Sequence, residues 1–165
     1  MSGQVFRFAT TIRVRWGDCD AFGHVNNASY LSYFEEARID YWKAIVPDVP
    51  FTGMAIVHVS VDFKGQAYPG DVLTIRAAIT ELHGTSFWAA YEVLRGDVVV
   101  ATGRSAQVFF DYKSQKPAPI PDPFRERIAA YEGIEPANAE RRTPNVEQNA
   151  PNVQRTAPRE ASENV

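Results

Sequence analysis

The sequence predicts an α+β domain in which an antiparallel sheet of about five strands wraps around one long central helix. Several segments alternate between apolar and polar residues, which indicates strands with one covered face and favours an antiparallel sheet over a doubly wound parallel one. One long segment instead carries apolar residues at three-to-four spacing, which is typical of a helix. With 165 residues and 45% apolar side chains, the chain can form one domain with a substantial core.

The first predicted strand covers residues 6–16. Alternation with a period of two is maintained over the whole segment, so we expect one face to be covered and the arginine-bearing face to be open. The covered face holds the even-numbered residues, namely Phe6, Phe8, Thr10, Ile12, Val14 and Trp16.

The long helical segment covers residues 27–45 and contains no internal glycine or proline. Asn26 and Asn27 are suited to cap its start, because asparagine side chains accept hydrogen bonds from the free N–H groups there. Pro47 and Pro50 follow its end, since proline does not continue a helix. The apolar stripe that we expect to face the sheet consists of Tyr30, Phe34, Ala37, Tyr41 and Ile45, widened by Leu31 and Trp42.

Four further strands and a short helix are predicted after the long helix. Glycine-containing turns separate the strands, and the markers are Pro69-Gly70-Asp71, His83-Gly84 and Arg95-Gly96-Asp97. The last strand is almost continuously apolar, so we expect it to lie centrally in the sheet. The strands cover residues 55–63, 73–79, 87–93 and 98–112, and the short helix covers residues 123–131.

The composition changes at about residue 133, where aromatic residues disappear and Pro, Asn, Glu, Arg, Gln and Ala dominate. Such a segment cannot bury enough apolar surface to offset the entropy lost on ordering. We therefore predict a folded domain over residues 1–132 and a disordered low-complexity tail over residues 133–165.

The bulk properties of the chain restrict its partners and its location. A net charge of −3 provides no general basic field, so we expect neither nucleic acid nor a membrane as a partner. No segment has the length and hydropathy of a signal peptide or a membrane span, and the single cysteine excludes an internal disulfide. These observations predict a cytoplasmic protein.

The candidate site is the polar stretch RWGDCDAFGHVNN at residues 15–27, between the first strand and the long helix. A turn with solvated carboxylates is the simpler interpretation, since Asp and Gly are common in turns. However, the stretch leads directly into a helix N-terminus, whose free N–H groups carry partial positive charge. A carboxylate beside such groups combines a base or nucleophile with carbonyl-polarising donors, as attack on an acyl group requires.

Metal binding and cysteine catalysis are disfavoured alternatives for this stretch. The acidic, cysteine and histidine residues between Asp18 and His24 lack the spacing of a structural zinc site and mix hard with soft ligands, so no metal is expected. Cys19 has no evident His or Asn partner, and we expect it to be a buried small apolar residue. For His24, the roles of base and turn residue stay open on this reasoning.

Two motifs resemble a known enzyme family. The runs RWGDCDAFGHVNNASYLSYFEEAR at residues 15–38 and PGDVLTI at residues 69–75 are similar to signatures of the hotdog-fold acyl-CoA thioesterases, in the 4-hydroxybenzoyl-CoA thioesterase-like family. The resemblance extends over about residues 5–130 and excludes the tail. It implies the hotdog fold, which has the same order of one strand, one long helix and four strands.

The resemblance implies a small enzyme that hydrolyses acyl-CoA thioesters without a metal or an organic cofactor. Asp20 matches the catalytic aspartate of the family, which acts as a nucleophile or as a general base on water. The backbone N–H that polarises the thioester carbonyl falls on Asn27, Gly23 permits close approach of the substrate, and Asp18 is structural. Family members share sites between subunits, so a homodimer or homotetramer is expected.

The residues after Asp20 also resemble a second group of thioesterases. His24-Val25-Asn26-Asn27 is similar to long-chain acyl-CoA thioesterases and to plant acyl-ACP thioesterases, although Phe22 stands where the plant pattern has an asparagine. His24 is accordingly expected to orient or contact the substrate, and Val25 to contact it. The choice between CoA and acyl carrier protein stays open.

Further substrate contacts are predicted on the helix and in the turns. Tyr30 and Phe34 are candidates for the wall of the acyl pocket, with a plain core position as an equal alternative. Aryl-CoA members of the family bind CoA phosphates with basic residues at the turn that here contains His83, the one residue of this turn that can be cationic. Other cations that can supply the missing charge are Lys64, Arg95 and Arg104.

Two other functions are compatible with parts of the pattern. A hotdog domain can bind acyl groups as a sensor or scaffold without catalysis, but a pure binder has no need for a carboxylate at the helix start. An Asp-x-Asp motif after a strand also occurs in magnesium-dependent phosphatases of the haloacid dehalogenase type, which need a buried parallel strand before the motif. The alternating first strand, which contains three arginines, disfavours the phosphatase.

Overall fold

The computed structural model describes residues 4–49 and 53–135. One strand, one long helix, four strands and a short helix follow each other in the order that the sequence predicts. The elements are β1 (Phe8–Arg13), a 3-10 turn (Trp16–Asp18), α1 (Ser29–Ile45), β2 (Met54–Phe63), β3 (Val72–Leu82), β4 (Ser86–Arg95), β5 (Val98–Asp111), β6 (Lys116–Pro117) and α2 (Asp122–Glu132).

The strands form one antiparallel sheet in the order β1-β3-β4-β5-β2, with the two-residue β6 beside β5. The prediction that the last long strand lies inside the sheet is confirmed, because β5 pairs with β4 on one side and with β2 on the other. α1 packs against one face of the sheet, where it contacts β1 and β3. This arrangement confirms the predicted α+β class and the hotdog architecture.

The core lies between α1 and the sheet, because the apolar stripe of the helix meets the apolar face of the strands. Tyr33, Phe34 and Ala37 of α1 are completely buried. They face alternate residues of the inner strands, of which Leu73 and Val93 are also completely buried. Removal of this apolar surface from water, at about 25 cal/mol per Å², is the main force that holds the helix on the sheet.

One close contact sets how near α1 approaches the sheet. Phe34 stacks on Tyr91, with ring centroids 4.3 Å apart and an interplanar angle of 12°. The Phe34 ring also covers Gly103, where an added Cβ atom would lie 2.6 Å from Phe34 Cζ and 2.9 Å from the carbonyl oxygen of Ser60. Since Cβ atoms do not tolerate such distances, the helix reaches this depth because residue 103 has no side chain.

β2 forms one edge of the sheet and is poorly covered. A bulge between Ile56 and His58 interrupts its pairing with β5, so the simple alternation predicted for residues 55–63 is wrong. Ile56, Val59 and Phe63 pair with β5 residues that face α1, yet their exposed fractions are 50%, 39% and 46%. The edge therefore presents an apolar row to solvent.

α2 packs beside α1 and closes one end of the core. Phe124 is completely buried and stacks on Trp42, with ring centroids 4.7 Å apart. At the end of α2, Glu132 Oε1 accepts hydrogen bonds from the Tyr41 hydroxyl at 2.6 Å and from the N–H of Ile79 at 3.0 Å. Ile79 borders a bulge in the β3–β4 pairing, and Glu132 provides the hydrogen-bond acceptor for the N–H of Ile79.

Several boundaries differ from the sequence prediction. α1 begins at Ser29 rather than at residue 27, because a turn at Asn26 precedes it. Trp16, which we predicted on the covered face of the first strand, is 84% exposed, because β1 ends at Arg13 and a 3-10 turn follows.

Most of the predicted tail, residues 136–165, lies outside the described residues, as does Pro50. None of the helices in the described part of the chain is long and apolar enough to cross a membrane.

Gly103→Ala is expected to destabilise the fold by about 1–3 kcal/mol, because the added methyl group forces Phe34 or β2 to move. Urea unfolding followed by circular dichroism measures the change. Gly17→Ala is the matched control, since nothing lies within 4 Å of a Cβ atom at residue 17, and it should change the free energy of unfolding by less than about 0.5 kcal/mol. Equal losses in the two variants would contradict the packing argument.

Candidate active site

The polar stretch between β1 and α1 folds into a compact loop that its own backbone closes. The N–H of Asp20 donates to the carbonyl of His24 at 3.1 Å, and the N–H of Gly23 donates to the carbonyl of Asp20 at 3.0 Å. Cys19 and Val25 form an isolated antiparallel bridge beneath this turn. Gly23 has a φ of 82°, a value that favours glycine, so the turn depends on the absence of a side chain there.

Asp18 anchors the loop to the strand before it and to the helix after it. Its carboxylate accepts hydrogen bonds from the Arg15 N–H at 2.8 Å and the Tyr33 hydroxyl at 3.0 Å, and it pairs with the Arg15 guanidinium. Its carbonyl oxygen accepts the Asn26 N–H at 2.9 Å and the Ser29 hydroxyl at 2.8 Å. Burial raises the pKa of Asp18, but the hydrogen bonds from Arg15 and Tyr33 outweigh burial and lower this pKa below its usual 3.8. The predicted structural role of Asp18 is confirmed.

Asp20 lies at the surface of the loop, and a hydrogen bond orients one of its two carboxylate oxygens. Oδ1 accepts a hydrogen bond from the Phe22 N–H at 2.9 Å and lies 4.0 Å from Nδ1 of His24. The side chains of Asp20 and His24 are 24% and 26% exposed, so water and a substrate can reach both. Oδ2 of Asp20 has no hydrogen-bond partner among the described residues.

An unpaired N–H group lies two residues before the start of α1, at Asn27. Asn26 caps this end, because its Oδ1 accepts the Ala28 N–H at 2.9 Å and its carbonyl accepts the Ser29 N–H at 2.9 Å. Within the described part of the chain, the side chain of Asn27 makes no capping bond and the N–H of Asn27 finds no acceptor. The residue that the sequence singled out therefore carries a free N–H, two residues before the positive end of the α1 dipole.

Two of the predicted cationic contacts lie at the loop's end of the sheet. Lys64 directly follows Phe63, whose ring contacts that of Tyr30 at the start of α1, with centroids 5.2 Å apart. Arg95 ends β4 and pairs in register with Leu73, at the start of β3. Both residues therefore lie at the end of the sheet from which the polar loop starts, and the Arg95 guanidinium lies 3.9 Å from the Asp71 carboxylate.

The other two predicted cations lie elsewhere in the chain. His83 follows the far end of β3, on the order of 30 Å from the polar loop at the usual rise of a strand. Arg104 pairs with Glu81 at 3.0 Å, and its guanidinium lies 4.7 Å from the centroid of the Trp88 ring. Within one chain, neither residue joins Asp20.

The predicted apolar contacts are all part of the core. Val25, Tyr30 and Phe34 are 3%, 2% and 0% exposed. These positions agree with the core alternative that the sequence left open for Tyr30 and Phe34. A role for the three residues in the wall of an acyl pocket stays a prediction.

Cys19 is half-buried, and not fully buried as we predicted. Its thiol lies at the edge of the loop, 3.7 Å from the Arg15 carbonyl oxygen. Burial, followed by the charges of Asp18 and Asp20, raises the pKa of this thiol, which disfavours the reactive thiolate. Across residues 4–49 and 53–135, no group of three His, Cys, Asp or Glu side chains has a metal-binding arrangement.

A groove that the sequence analysis did not identify lies between α1 and β2. It has a volume of about 330 Å³ and is lined by Glu35 and Arg38, by residues 53–56, and by Gln107 and Tyr112. The signal for it was present in β5, where polar Gln107 interrupts a largely apolar strand and is nevertheless buried.

Comparison with known proteins assigns the family. The family model of the thioesterase-like superfamily matches residues 14–128, which include the polar loop, α1 and the four long strands β2 to β5. The chain belongs to this superfamily. The resemblance that the two motifs indicated is therefore confirmed.

Individual relatives of this thioesterase-like protein agree with the assignment. It is 30% identical over 129 residues to the long-chain acyl-CoA thioesterase FadM of Escherichia coli (strain K12), covering 72% of this chain and 95% of the relative. It is 32% identical over 115 residues to the 1,4-dihydroxy-2-naphthoyl-CoA hydrolase of Nostoc punctiforme (strain ATCC 29133 / PCC 73102), covering 66% and 78%. A solved structure from Thermus thermophilus, a thioesterase complexed with coenzyme A and Zn, matches with a TM-score of 0.71 and 33% identity, covering 82% of this chain and 99% of that one.

For this thioesterase-like protein, Asp18→Asn is expected to lower the free energy of unfolding at neutral pH by about 1–3 kcal/mol, because Arg15 and Tyr33 lose a charged acceptor. Because the pKa of Asp18 is lower in the folded protein, its carboxylate contributes fully to the free energy of unfolding above the usual pKa of 3.8. This contribution is lost as the pH falls through the lower pKa of the folded state. Urea unfolding at neutral and at increasingly acidic pH should show a decreasing gap between the free energies of unfolding of wild type and variant. A gap that is constant with pH would contradict this account.

Proposed function

We propose that this protein hydrolyses acyl-CoA thioesters to the free acid and CoA, with Asp20 as the acting carboxylate and the start of α1 as the oxyanion site. One observation carries the proposal: a carboxylate with a free oxygen, on Asp20, and an unpaired N–H two residues before α1, on Asn27, occur in one short connection. The relatives support it, because those from Escherichia coli and Nostoc punctiforme are named for the hydrolysis of CoA thioesters.

The chemistry requires attack on the thioester carbonyl carbon and stabilisation of the charge that develops on the carbonyl oxygen. The Asn27 N–H donates to this oxygen, and the dipole of α1 adds to the stabilisation. Asp20 either deprotonates an attacking water or attacks directly, forming a mixed anhydride that water then hydrolyses. In both routes the C–S bond breaks, the CoA thiolate takes up a proton, and the acyl group leaves as the acid.

The neighbours of Asp20 position the reacting groups. His24 lies 4.0 Å from the carboxylate and is part-exposed, which suits a role in orienting Asp20 or contacting the substrate. Gly23 carries no side chain at the outer turn of the loop, so the thioester can approach the backbone closely. Val25 lies directly beneath this turn and offers an apolar floor.

The cations near the loop suit the phosphate groups of CoA. Lys64 and Arg95 occupy the same end of the sheet as Asp20, and both side chains can pair with phosphate. His83 is too distant within one chain to reach the same CoA molecule, so any contact from it requires a second copy. A cytoplasmic location agrees with a CoA substrate and with the free thiol of Cys19.

A second copy of the chain is the proposed cover for β2. This edge strand has ten residues, one unpaired side and an exposed apolar row that includes Ile56, Val59 and Phe63. Antiparallel pairing of β2 with the same strand of another copy satisfies the backbone groups and buries the row, and it is self-complementary under two-fold symmetry. The start of each β2 then faces the end of the other, so a homodimer forms two sites at its interface, and a homotetramer requires one further contact.

Asp20→Asn is expected to lower kcat/KM for acyl-CoA hydrolysis by about a hundredfold or more, because the amide is neither a base nor a nucleophile. The fold should be retained, since the amide oxygen can still accept the Phe22 N–H. A thiol-release assay over short, long, branched and aryl acyl-CoAs measures the loss. Asp97→Asn, at an exposed carboxylate of the β4–β5 turn, is the matched control with wild-type rates. An Asp20→Asn enzyme that equals wild type on every substrate would remove Asp20 from the mechanism.

Val59→Arg is expected to weaken self-association by at least about tenfold, because pairing would bury an uncompensated charge in the apolar row of β2. Sedimentation velocity over a range of protein concentrations measures the effect. Val98→Arg is the control, since Val98 is 58% exposed at the start of β5, away from the free edge. If the Val59→Arg and Val98→Arg proteins sediment alike, β2 is not the interface.

A further inference from the structure

Asn26 precedes the free N–H of Asn27 and shares a peptide group with it. The carbonyl oxygen of Asn26 accepts the Ser29 N–H at 2.9 Å, which fixes the plane of the peptide group between residues 26 and 27. No peptide bond in the described residues is cis, and in a trans peptide the C=O and the N–H point in opposite directions. The Asn27 N–H is therefore directed away from Ser29, the first residue of α1.

The side chain of Asn26 holds the next peptide group. Its Oδ1 accepts the Ala28 N–H at 2.9 Å, which is the hydrogen bond of an Asx turn. Asn26 therefore occupies the N–H groups of Ala28 and Ser29, whereas the N–H of Asn27 has no acceptor within the described residues. The turn over residues 26–28 leaves one donor open and closes the two donors that follow it.

The turn is anchored to the part of the loop that carries Asp20. The Asn26 N–H donates to the carbonyl oxygen of Asp18 at 2.9 Å, and the Ser29 hydroxyl donates to the same oxygen at 2.8 Å. Asp18 lies two residues before Asp20 in the chain. The open donor and the proposed acting carboxylate therefore belong to one hydrogen-bonded frame, and a shift of the turn at Asn26 changes the position of the donor relative to the carboxylate.

The side chain of Asn26 is exposed, whereas Asp18 is buried. An exposed side chain that bonds within its own turn contributes little to the packing of the core. Removal of the Asn26 amide is therefore expected to loosen the turn without unfolding the domain.

We propose that Asn26 is a positioning residue for thioester hydrolysis: its side-chain amide holds the turn so that the Asn27 N–H meets the carbonyl oxygen in the transition state. This inference rests on the proposed function, and it adds a residue that acts through the backbone of Asn27 without touching the substrate. A donor that is already oriented needs no reorganisation as charge develops on the oxygen. Loss of the orienting bond therefore lowers kcat more than it changes KM.

Asn26→Ala is the principal variant, measured in the thiol-release assay on the acyl-CoA that wild type cleaves fastest. We expect kcat to fall by about ten- to a hundredfold while KM stays within about threefold, because only transition-state binding is lost. Asn26→Ser should recover kcat to within about fivefold of wild type, since the serine hydroxyl can accept the same N–H. Asp111→Ala is the matched control and should keep wild-type rates, because Asp111 Oδ1 accepts the Lys113 N–H at 2.9 Å in the same type of turn, at the exposed end of β5.

A dithioester analogue tests whether the loss arises at the oxyanion. In this analogue a C=S group replaces the C=O group of the same acyl-CoA, and sulfur accepts hydrogen bonds weakly. Asn26→Ala should lose at least about tenfold in kcat on the thioester but less than about threefold on the dithioester, because the dithioester gains little from the Asn27 N–H. A purely structural effect of the substitution lowers both rates equally.

NMR relaxation of the isotope-labelled full-length protein measures the rigidity of the turn without turnover. The order parameter of the Asn27 N–H should be about 0.85 in wild type and in Asn26→Ser, and below about 0.6 in Asn26→Ala. An Asn27 N–H that stays rigid in Asn26→Ala would overturn the role of Asn26.

The kinetic outcomes separate failure of this inference from failure of the proposed function. Wild-type kcat in Asn26→Ala, or equal losses on thioester and dithioester, would overturn the role of Asn26 and leave the thioesterase in place. Unfolding of Asn26→Ala would also overturn this role, since the side-chain bond would then be structural. A wild type that cleaves no acyl-CoA would overturn the proposed function and this inference with it.

Discussion

The hydrogen bonds of Asp18 join three parts of the chain that the proposed chemistry needs in one place. The carboxylate accepts from the backbone of Arg15 at the end of the first strand and from Tyr33, one turn inside α1. The carbonyl of the same residue accepts the Ser29 hydroxyl at the start of the helix. Because a charged, shielded acceptor holds strand, loop and helix together, Asp20 and the free N–H of Asn27 are carried by a common rigid support.

Local patterns predicted most of the fold. The alternation in β1 identified Ile12 and Val14 as covered, since the two faces of a strand follow from spacing alone. The same argument failed at Trp16, because the strand ends at Arg13 and a 3-10 turn follows. It also failed in β2, because one bulge exchanges the two faces of the strand. Turns and bulges are set by backbone pairing with distant strands, which the local pattern does not contain.

The candidate site was predictable to the extent that it is contiguous in the sequence. Asp20, His24 and Asn27 belong to a single run, so one motif was enough to name them. The groove is different, because Arg38, Ile56 and Gln107 come from three elements that meet through the tertiary fold. His83 is the reverse case: the family pattern suggested a role at the CoA phosphates, and β3 separates His83 from the loop within one chain, so the role stays a prediction that requires a second copy.

The contact between Phe34 and Gly103 also limits how this scaffold can be altered. The stacked rings of Phe34 and Tyr91 fill the space beneath the first half of α1, so no channel can run under the helix at that level. The acyl group of the proposed substrate must therefore lie outside this aromatic layer. Redesign of the enzyme should therefore leave the aromatic layer below the helix unchanged, because a larger or smaller ring there alters the contact that sets the depth of α1.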